Sequence, residues 1–291
     1  MKITRGQFLR LLGSGVAAMG ISNMMNLFQP KSAFAQDGPP KQSGQVTIQW
    51  LGHGAFKFVS TSGTVILLDP WLNTNPKCPA QYRNPEGFKK IDMILYTHGH
   101  TDHFMLPDLE ALVKQFSPKI IAPNELCVMI KKHLPIADTQ LFVIGNKGAS
   151  CIIDGVKISM VSADHSSNAQ LTSFKAATHE VGECVGYVME FENGFRIYHS
   201  GDTGLMADMK YIIHDFYKPD LAILPIGNVY TMGPKEAAYA SKMINAAHVI
   251  PEHYATFPSL VQTADEFIKY AREYSPNTEV NVLSPGEEFK I

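Results

Sequence analysis

Hydrophobic and polar positions alternate over residues 46–51 and 55–59, then run continuously apolar over 64–68. Period-two alternation marks a half-buried strand, and a short apolar run bounded by turn residues marks a buried one. Gly52 and Gly54 break the first pair and Ser62-Gly63 the next, so the block predicts a β-meander. Over 107–116 the pattern changes: Leu109, Leu112, Val113 and Phe116 recur at helical spacing. A short strand follows at 119–122, and Pro123 opens a helix reaching about residue 134. Strand patterns return at 141–144, 151–153, 156–161, 185–191 and 195–199, the last two joined by the hairpin dipeptide Asn193-Gly194. Helices at 205–216, 234–246 and 263–274 then alternate with short strands at 221–224, 248–250 and 280–283. Meander, α/β, meander, α/β predicts an α/β fold, a four-layer αββα sandwich of two mixed β-sheets packed face to face with helices on the outer faces. Such a fold binds ligands at the carboxyl ends of its strands.

Composition changes this picture at the amino terminus. Lys2, Arg5 and Arg10 form a basic start, residues 11–28 are moderately apolar, and Ala33-Phe34-Ala35 reads as a cleavage signal. Residues 1–35 are therefore expected to be an export signal, 36–44 a linker, and 45–291 the folded domain, exported to the periplasm or beyond. Thr4-Arg5-Gly6-Gln7-Phe8-Leu9-Arg10 resembles a twin-arginine motif with Gly6 in place of the second arginine, which leaves both that route and general secretion open. No later stretch is long and apolar enough to span a bilayer, so no stable membrane insertion is expected once the signal is removed. With 45% hydrophobic residues the chain can bury a full core, and a net charge of -2 without a basic patch offers nucleic acid no footprint. Cys78, Cys127, Cys151 and Cys184 are scattered, and their spacing alone cannot pair them.

The chemistry concentrates in Tyr96-Thr97-His98-Gly99-His100-Thr101-Asp102-His103, at the end of the apolar strand 91–95. In an extended segment, side chains two apart point the same way, so His98 and His100 can aim two imidazoles at one point. Asp102 and His103 follow the turn and can face a second point nearby. Neutral imidazole suits zinc, iron and manganese, and a carboxylate adds the negative charge that holds a divalent cation. His165, Asp202 and His253 each fall just after another predicted strand, so four groups of metal-capable residues stand at strand exits.

The pattern His-x-His-x-Asp-His resembles the metallo-β-lactamase superfamily. Further motifs narrow the likeness: Gly52-His53-Gly54-Ala55-Phe56, Leu68-Asp69-Pro70-Trp71, Asp164-His165-Ser166-Ser167, His199-Ser200-Gly201-Asp202-Thr203-Gly204, Thr231-Met232-Gly233-Pro234 and His253-Tyr254-Ala255-Thr256-Phe257-Pro258. They are similar to the branch of small metal-dependent hydrolases that includes ascorbate-6-phosphate lactonase and, more distantly, N-acyl-phosphatidylethanolamine phospholipase D. The resemblance implies two divalent metal ions, zinc first, with manganese or iron also compatible. His98, His100 and His165 would hold one, Asp102, His103 and His253 the other, and Asp202 would bridge them. It further implies a hydroxide shared by the two metals, since one zinc alone brings a water pKa from about 15.7 to about 7. His100 stands where redox relatives carry an acidic residue, which favours hydrolysis over oxygen chemistry.

The expected function is hydrolysis of a small-molecule lactone, ester or phosphodiester. Asp102 would orient the nucleophile and relay its proton, and His53 would stabilise an oxyanion or protonate a leaving group, unless it is a structural turn residue. Asp69 is either support for a ligand histidine or a turn carboxylate. Alternatives are a phospholipase-D-like enzyme on lipid headgroups, disfavoured by the lack of a basic amphipathic helix, and a non-catalytic metal-binding or ligand-binding protein on the same fold. His179 reads as solvated surface within a long polar segment, 166–183, a candidate lid. His133, His214 and His248 read as structural, and His199 as no ligand. Tyr230, Thr231, Tyr254 and Thr256 flank the site. Relatives often associate, so a homo-oligomer is compatible.

Overall fold

The computed structural model describes residues 43–291 apart from 142, 143 and 145. The expected export signal and almost all of the linker lie outside the described residues.

Two sheets form the centre. The first contains β1 (Thr47–Gly52), β2 (Ala55–Val59), β3 (Val65–Leu68), β4 (Met93–Leu95), β5 (Lys119–Ile121) and β15 (Glu288–Lys290), in the order β15-β1-β2-β3-β4-β5. The meander β1–β3 pairs antiparallel, while β3, β4 and β5 run parallel. The second contains β6 (Ser150–Ile153), β7 (Val156–Ser162), β10 (Val185–Glu190), β11 (Arg196–His199), β12 (Leu221–Pro225), β13 (His248–Glu252) and β14 (Glu279–Val280), in the order β14-β13-β12-β11-β10-β7-β6. Here β11 to β14 run parallel and the rest antiparallel. Each sheet is thus half meander and half parallel, as the periodicity predicts.

Alternation along the strands decides what each face covers. Ile66 and Leu68 of β3, with Met93 and Leu95 of β4, pack into the cluster shared with Tyr187, Val188 and Ile223 of the second sheet. Leu67 and Ile94 point the other way, against Leu109 and Leu112 of α1 (Leu106–Phe116) and Leu126 and Ile130 of α2 (Asn124–His133). The helices α3 (Pro234–Ile244) and α4 (Asp265–Tyr274) cover the second sheet through Ala237, Ala238, Phe267 and Ala271. Pro at the first or second position starts α1 and α3, and a left-handed residue ends each, Ser117 and Asn245.

Some expected elements shift. The helix expected at 205–216 is a π-wound segment over Met209–Tyr217. The polar segment 166–183 contains a two-stranded hairpin, β8 (Asn168–Gln170) and β9 (Thr178–Glu180). β15 was not foreseen; it adds to the β1 edge, Ile48 facing Phe289. Of the strand expected at 141–144, Leu141 makes an isolated bridge to Ile120, and 142 and 143 lie outside the described residues. All four cysteines are free and buried. No helix among the described residues is long and apolar enough to cross a membrane.

Candidate metal centre

The parallel strands end at one edge, and the two sheets are joined there. The Val185 N–H donates to the Thr97 carbonyl at 3.0 Å, and the Tyr187 hydroxyl donates to the Tyr96 carbonyl at 2.8 Å. The sharp exits are visible in the backbone: His53, Asp69 and His253, none of them glycine, adopt φ of 58°, 45° and 58°. Residues held in the left-handed region cost of order 1–3 kcal/mol each and persist where the surroundings over-determine them. These three leave β1, β3 and β13, and all point inward.

Seven side chains from both sheets converge. His98 Nε2 lies 3.0 Å from His100 Nδ1, which lies 3.1 Å from His165 Nε2. The Asp202 carboxylate sits among the imidazoles: Oδ1 is 3.3 Å from His103 Nε2, and Oδ2 is 3.2 Å from His253 Nε2, 3.5 Å from His165 Nε2 and 3.9 Å from His98 Nε2. Asp102 and His103 join His253 and His53 in a second cluster of ligand-capable atoms, beside that of His98, His100 and His165. All seven residues that the resemblance assigns as ligands are therefore gathered at one place.

Hydrogen-bond bookkeeping shows which nitrogens are bare. Asp69 is fully buried and accepts the Thr97 N–H at 2.7 Å, the Thr97 O–H at 2.5 Å and the His103 Nδ1–H at 2.9 Å. A hydroxyl has one proton. With it on Asp69, Thr97 Oγ1 accepts from His98 Nδ1–H at 2.9 Å, which leaves His98 Nε2 a lone pair facing the other rings. Asp69 likewise takes the Nδ1–H of His103, which turns His103 Nε2 towards the centre. Asp69 thus supports two candidate ligands, the first of the two readings open from the sequence. Thr97, the intermediary, was not singled out in the sequence; its signal there was only that it precedes His98.

The titration of His98, His100 and His165 agrees. Burial lowers the pKa of His98 well below its ordinary value, lowers that of His165, and takes His100 to about 4, with neighbouring imidazoles adding to the effect. These rings are neutral at pH 7, the form that binds metal. At His103 burial is outweighed by Asp202 and Asp69, which raise its pKa well above the usual range. Without a cation this ring keeps a proton on Nε2 as well, the proton that a bound cation would displace.

The residues fit divalent cations on these grounds. His103 Nε2, His253 Nε2 and Asp202 Oδ1 are buried without a hydrogen-bond partner, close to one another but misaligned for a bond. Between His98, His100 and His165, His100 Nδ1 has at most one proton for two contacts. Buried polar atoms left so unsatisfied are rare without an ion or water to serve them.

His53 reaches the centre through Asp102. Its Nε2–H donates to Asp102 Oδ2 at 3.0 Å and its Nδ1 faces the Thr256 hydroxyl at 2.9 Å. Burial, reinforced by His253, lowers its pKa to about 4, so the ring is neutral. Burial alone would raise the Asp102 carboxyl, but the His53 bond and the His103 and His253 rings hold it well below the usual range. His199 Nδ1 accepts the Gly201 N–H at 3.1 Å, under the Asp202 turn and outside the ligand clusters. His179 is exposed on β9, and the His214 Nδ1–H donates to the Ile244 carbonyl at 2.9 Å. Above the centre opens a cleft of about 530 Å³ lined by His100, Asp102, His165, Asp202 and His253 together with Asn168, Gln170, Phe174, Tyr230 and Phe257.

Comparison with known proteins agrees with this geometry. The β-lactamase superfamily domain matches residues 64–254, a span that contains every candidate ligand. The chain belongs to the metallo-β-lactamase superfamily. Within that superfamily it is 38% identical over 246 residues to a UPF0173 metal-dependent hydrolase of Rubrobacter xylanophilus, covering 84% of this chain and 97% of the relative. A metal-dependent hydrolase of the same description from Polaromonas is 41% identical over 255 residues, covering 86% and 91%. Among solved structures, Igni18, a metallo hydrolase from the archaeon Ignicoccus hospitalis, superposes with a TM-score of 0.70 at 30% identity, covering 85% of this chain and 98% of its own. The chain is accordingly a metal-dependent hydrolase of this superfamily.

Proposed function

We propose that the centre holds two divalent cations, zinc foremost, and hydrolyses an ester, lactone or phosphodiester. His98, His100 and His165 would hold one cation, Asp102, His103 and His253 the other, with Asp202 between them. The reading is carried by one observation: Asp202 lies within 3.9 Å of ring nitrogens from His98, His103, His165 and His253, four residues from three different segments. When bound, such a pair supplies a water that is deprotonated near neutral pH and a Lewis acid for the charge that develops on the attacked group. The chain's own residues orient and exclude. Thr97 and Asp69 hold the Nδ1–H groups of His98 and His103, so both rings turn Nε2 towards the cations. His53 is fully buried and absent from the cleft lining; it positions Asp102 rather than meeting the substrate. Asp102 lines the cleft and is ionised, so it can take a proton from the attacking water and pass it towards the leaving group. Residues 1–35 keep the reading of an export signal.

The test is elemental analysis of the purified protein joined to a hydrolysis panel. His98→Ala and Asp202→Ala should each abolish turnover and lower the metal content while the circular dichroism stays that of a folded protein. Full activity in either variant would remove that residue from the centre.

A further inference from the structure

The cleft lining has an aromatic part and a polar part. In the aromatic part Phe257 stacks on the buried Trp71 at 6.0 Å between ring centres, and Phe174 stands edge-on to both at 6.0 and 6.3 Å. Phe174 sits between the strands of the β8–β9 hairpin and is 50% exposed, a large apolar ring held at the mouth. The rest of the lining is mostly polar and uncharged apart from the centre itself. The Asn168 carboxamide lines it and makes no side-chain hydrogen bond among the described residues, so it is available to a carbonyl or ether oxygen.

Cationic recognition is missing from this lining. Among the described residues around the cleft none is Lys or Arg and none lies in a helix, so they offer the space neither a guanidinium fork, an ammonium nor a helix amino terminus. Lys175 neighbours Phe174 in sequence but is not part of the lining. The carboxylates Asp102 and Asp202 face the cleft and offset positive charge at the centre. A phosphate group would meet the centre with no other cation to hold its remaining oxygens, whereas a carbonyl needs none.

We propose that the substrate is an uncharged ester or lactone whose apolar arm seats against Phe174 and Phe257, and that Phe174 sets the preference for that arm. This rests on the hydrolase reading of the same centre. In the reaction the acyl carbon gains a bond to the oxygen of water as its bond to the leaving oxygen breaks. One proton of the water goes to the leaving alkoxide, and the product acid releases the other to solvent. No oxidant or further reactant is needed.

The experiment uses the purified protein with its metal, wild type and Phe174→Ala. Binding of N-hexylacetamide, an uncharged mimic of an ester, and of hexyl methyl phosphate, an anion with the same arm, is followed by tryptophan emission. Trp71 beneath Phe257 is one of only two tryptophans. The amide should bind more tightly than the phosphodiester, and Phe174→Ala should weaken the amide by about tenfold, the scale of one well-placed aromatic contact with its buried area. In parallel, p-nitrophenyl hexanoate should lose about tenfold in kcat/KM in the variant, mainly through KM, while p-nitrophenyl acetate changes less than about twofold. Tighter binding of the phosphodiester, or a variant indifferent to chain length, would overturn the proposal. Amide binding that depends on Phe174 in a protein inert to every ester and lactone would support the pocket and sink the ester and lactone hydrolysis assigned to the centre instead.

Discussion

Thr97 decides the protonation of two neighbours with a single hydroxyl. Its proton is taken by Asp69, so its oxygen can only accept from His98, and the candidate ligand nitrogen of His98, Nε2, is left bare. Replacing it with Val keeps the shape and removes both bonds. We expect Thr97→Val to lower metal affinity by about 10–100-fold, the usual cost of losing an outer partner of a ligand, with the far-ultraviolet circular dichroism unchanged. Competition with a chromogenic chelator measures it, and unaltered affinity would show that the tautomer is set elsewhere. Gly54 acts through absence at the same scale. A Cβ there would stand 2.5 Å from His103 Cε1, backed by the Glu252 carboxylate 3.5 Å away. The glycine between His53 and the next strand is thus part of the centre. Its role was invisible in the sequence, because the contact spans 49 positions.

The two sheets are also pinned at the end away from the centre, and one carboxylate does it. Glu192, in the turn between β10 and β11, accepts from Ser60 Oγ at 2.9 Å, Ser62 Oγ at 2.6 Å and Thr61 Oγ1 at 3.0 Å, all in the turn between β2 and β3. Burial would raise its pKa, but these hydroxyls outweigh burial and lower it below the ordinary 4.5. A carboxyl whose folded pKa is depressed contributes stability that is complete above the unfolded value and is lost as pH falls through the folded one. Stability from this contact should therefore be constant near neutrality and decline below about pH 4.5. Glu192→Gln should cost about 1–3 kcal/mol at pH 7 and flatten the acid limb of the denaturation profile. Urea midpoints across the pH range read both effects; an unchanged midpoint would mean that the turns hold each other by packing alone. At this scale the amphipathic patterns foretold the strands and helices well, since burial of one face is a local property of the residues. They did not foretell β15 or the β8–β9 hairpin. Those strands exist through partners far away in sequence or through polar ladders without an apolar face.

For the whole molecule, the centre is a cross-link between the sheets. His98, His100, Asp102 and His103 follow β4 of the first, and His165, Asp202 and His253 follow strands of the second. Ions that bind this arrangement and not the unfolded chain stabilise the fold by mass action, by about 4 kcal/mol when free metal stands a thousandfold above its dissociation constant. Dialysis against a chelator should therefore lower the melting temperature by several degrees, and zinc should restore it. Calorimetry before and after decides the matter. A melting temperature insensitive to chelation would mean that the sheets are held by the apolar core alone.

The sequence by itself determined the kinds of residue present and the order in which they leave the strands. From these followed the layered architecture, all seven candidate ligands and the superfamily, because periodicity and short motifs are properties of neighbours along the chain. What only the tertiary structure decided is which nitrogen of His98 and of His103 faces the centre, that His53 bonds to Asp102 and does not line the cleft, and that the cleft carries an aromatic cluster and, among the described residues, no Lys or Arg. Those features depend on Thr97, Asp69, Trp71, Phe174 and Phe257 meeting across two sheets and a hairpin. Distances between segments far apart in the chain are set by packing, which no local pattern encodes.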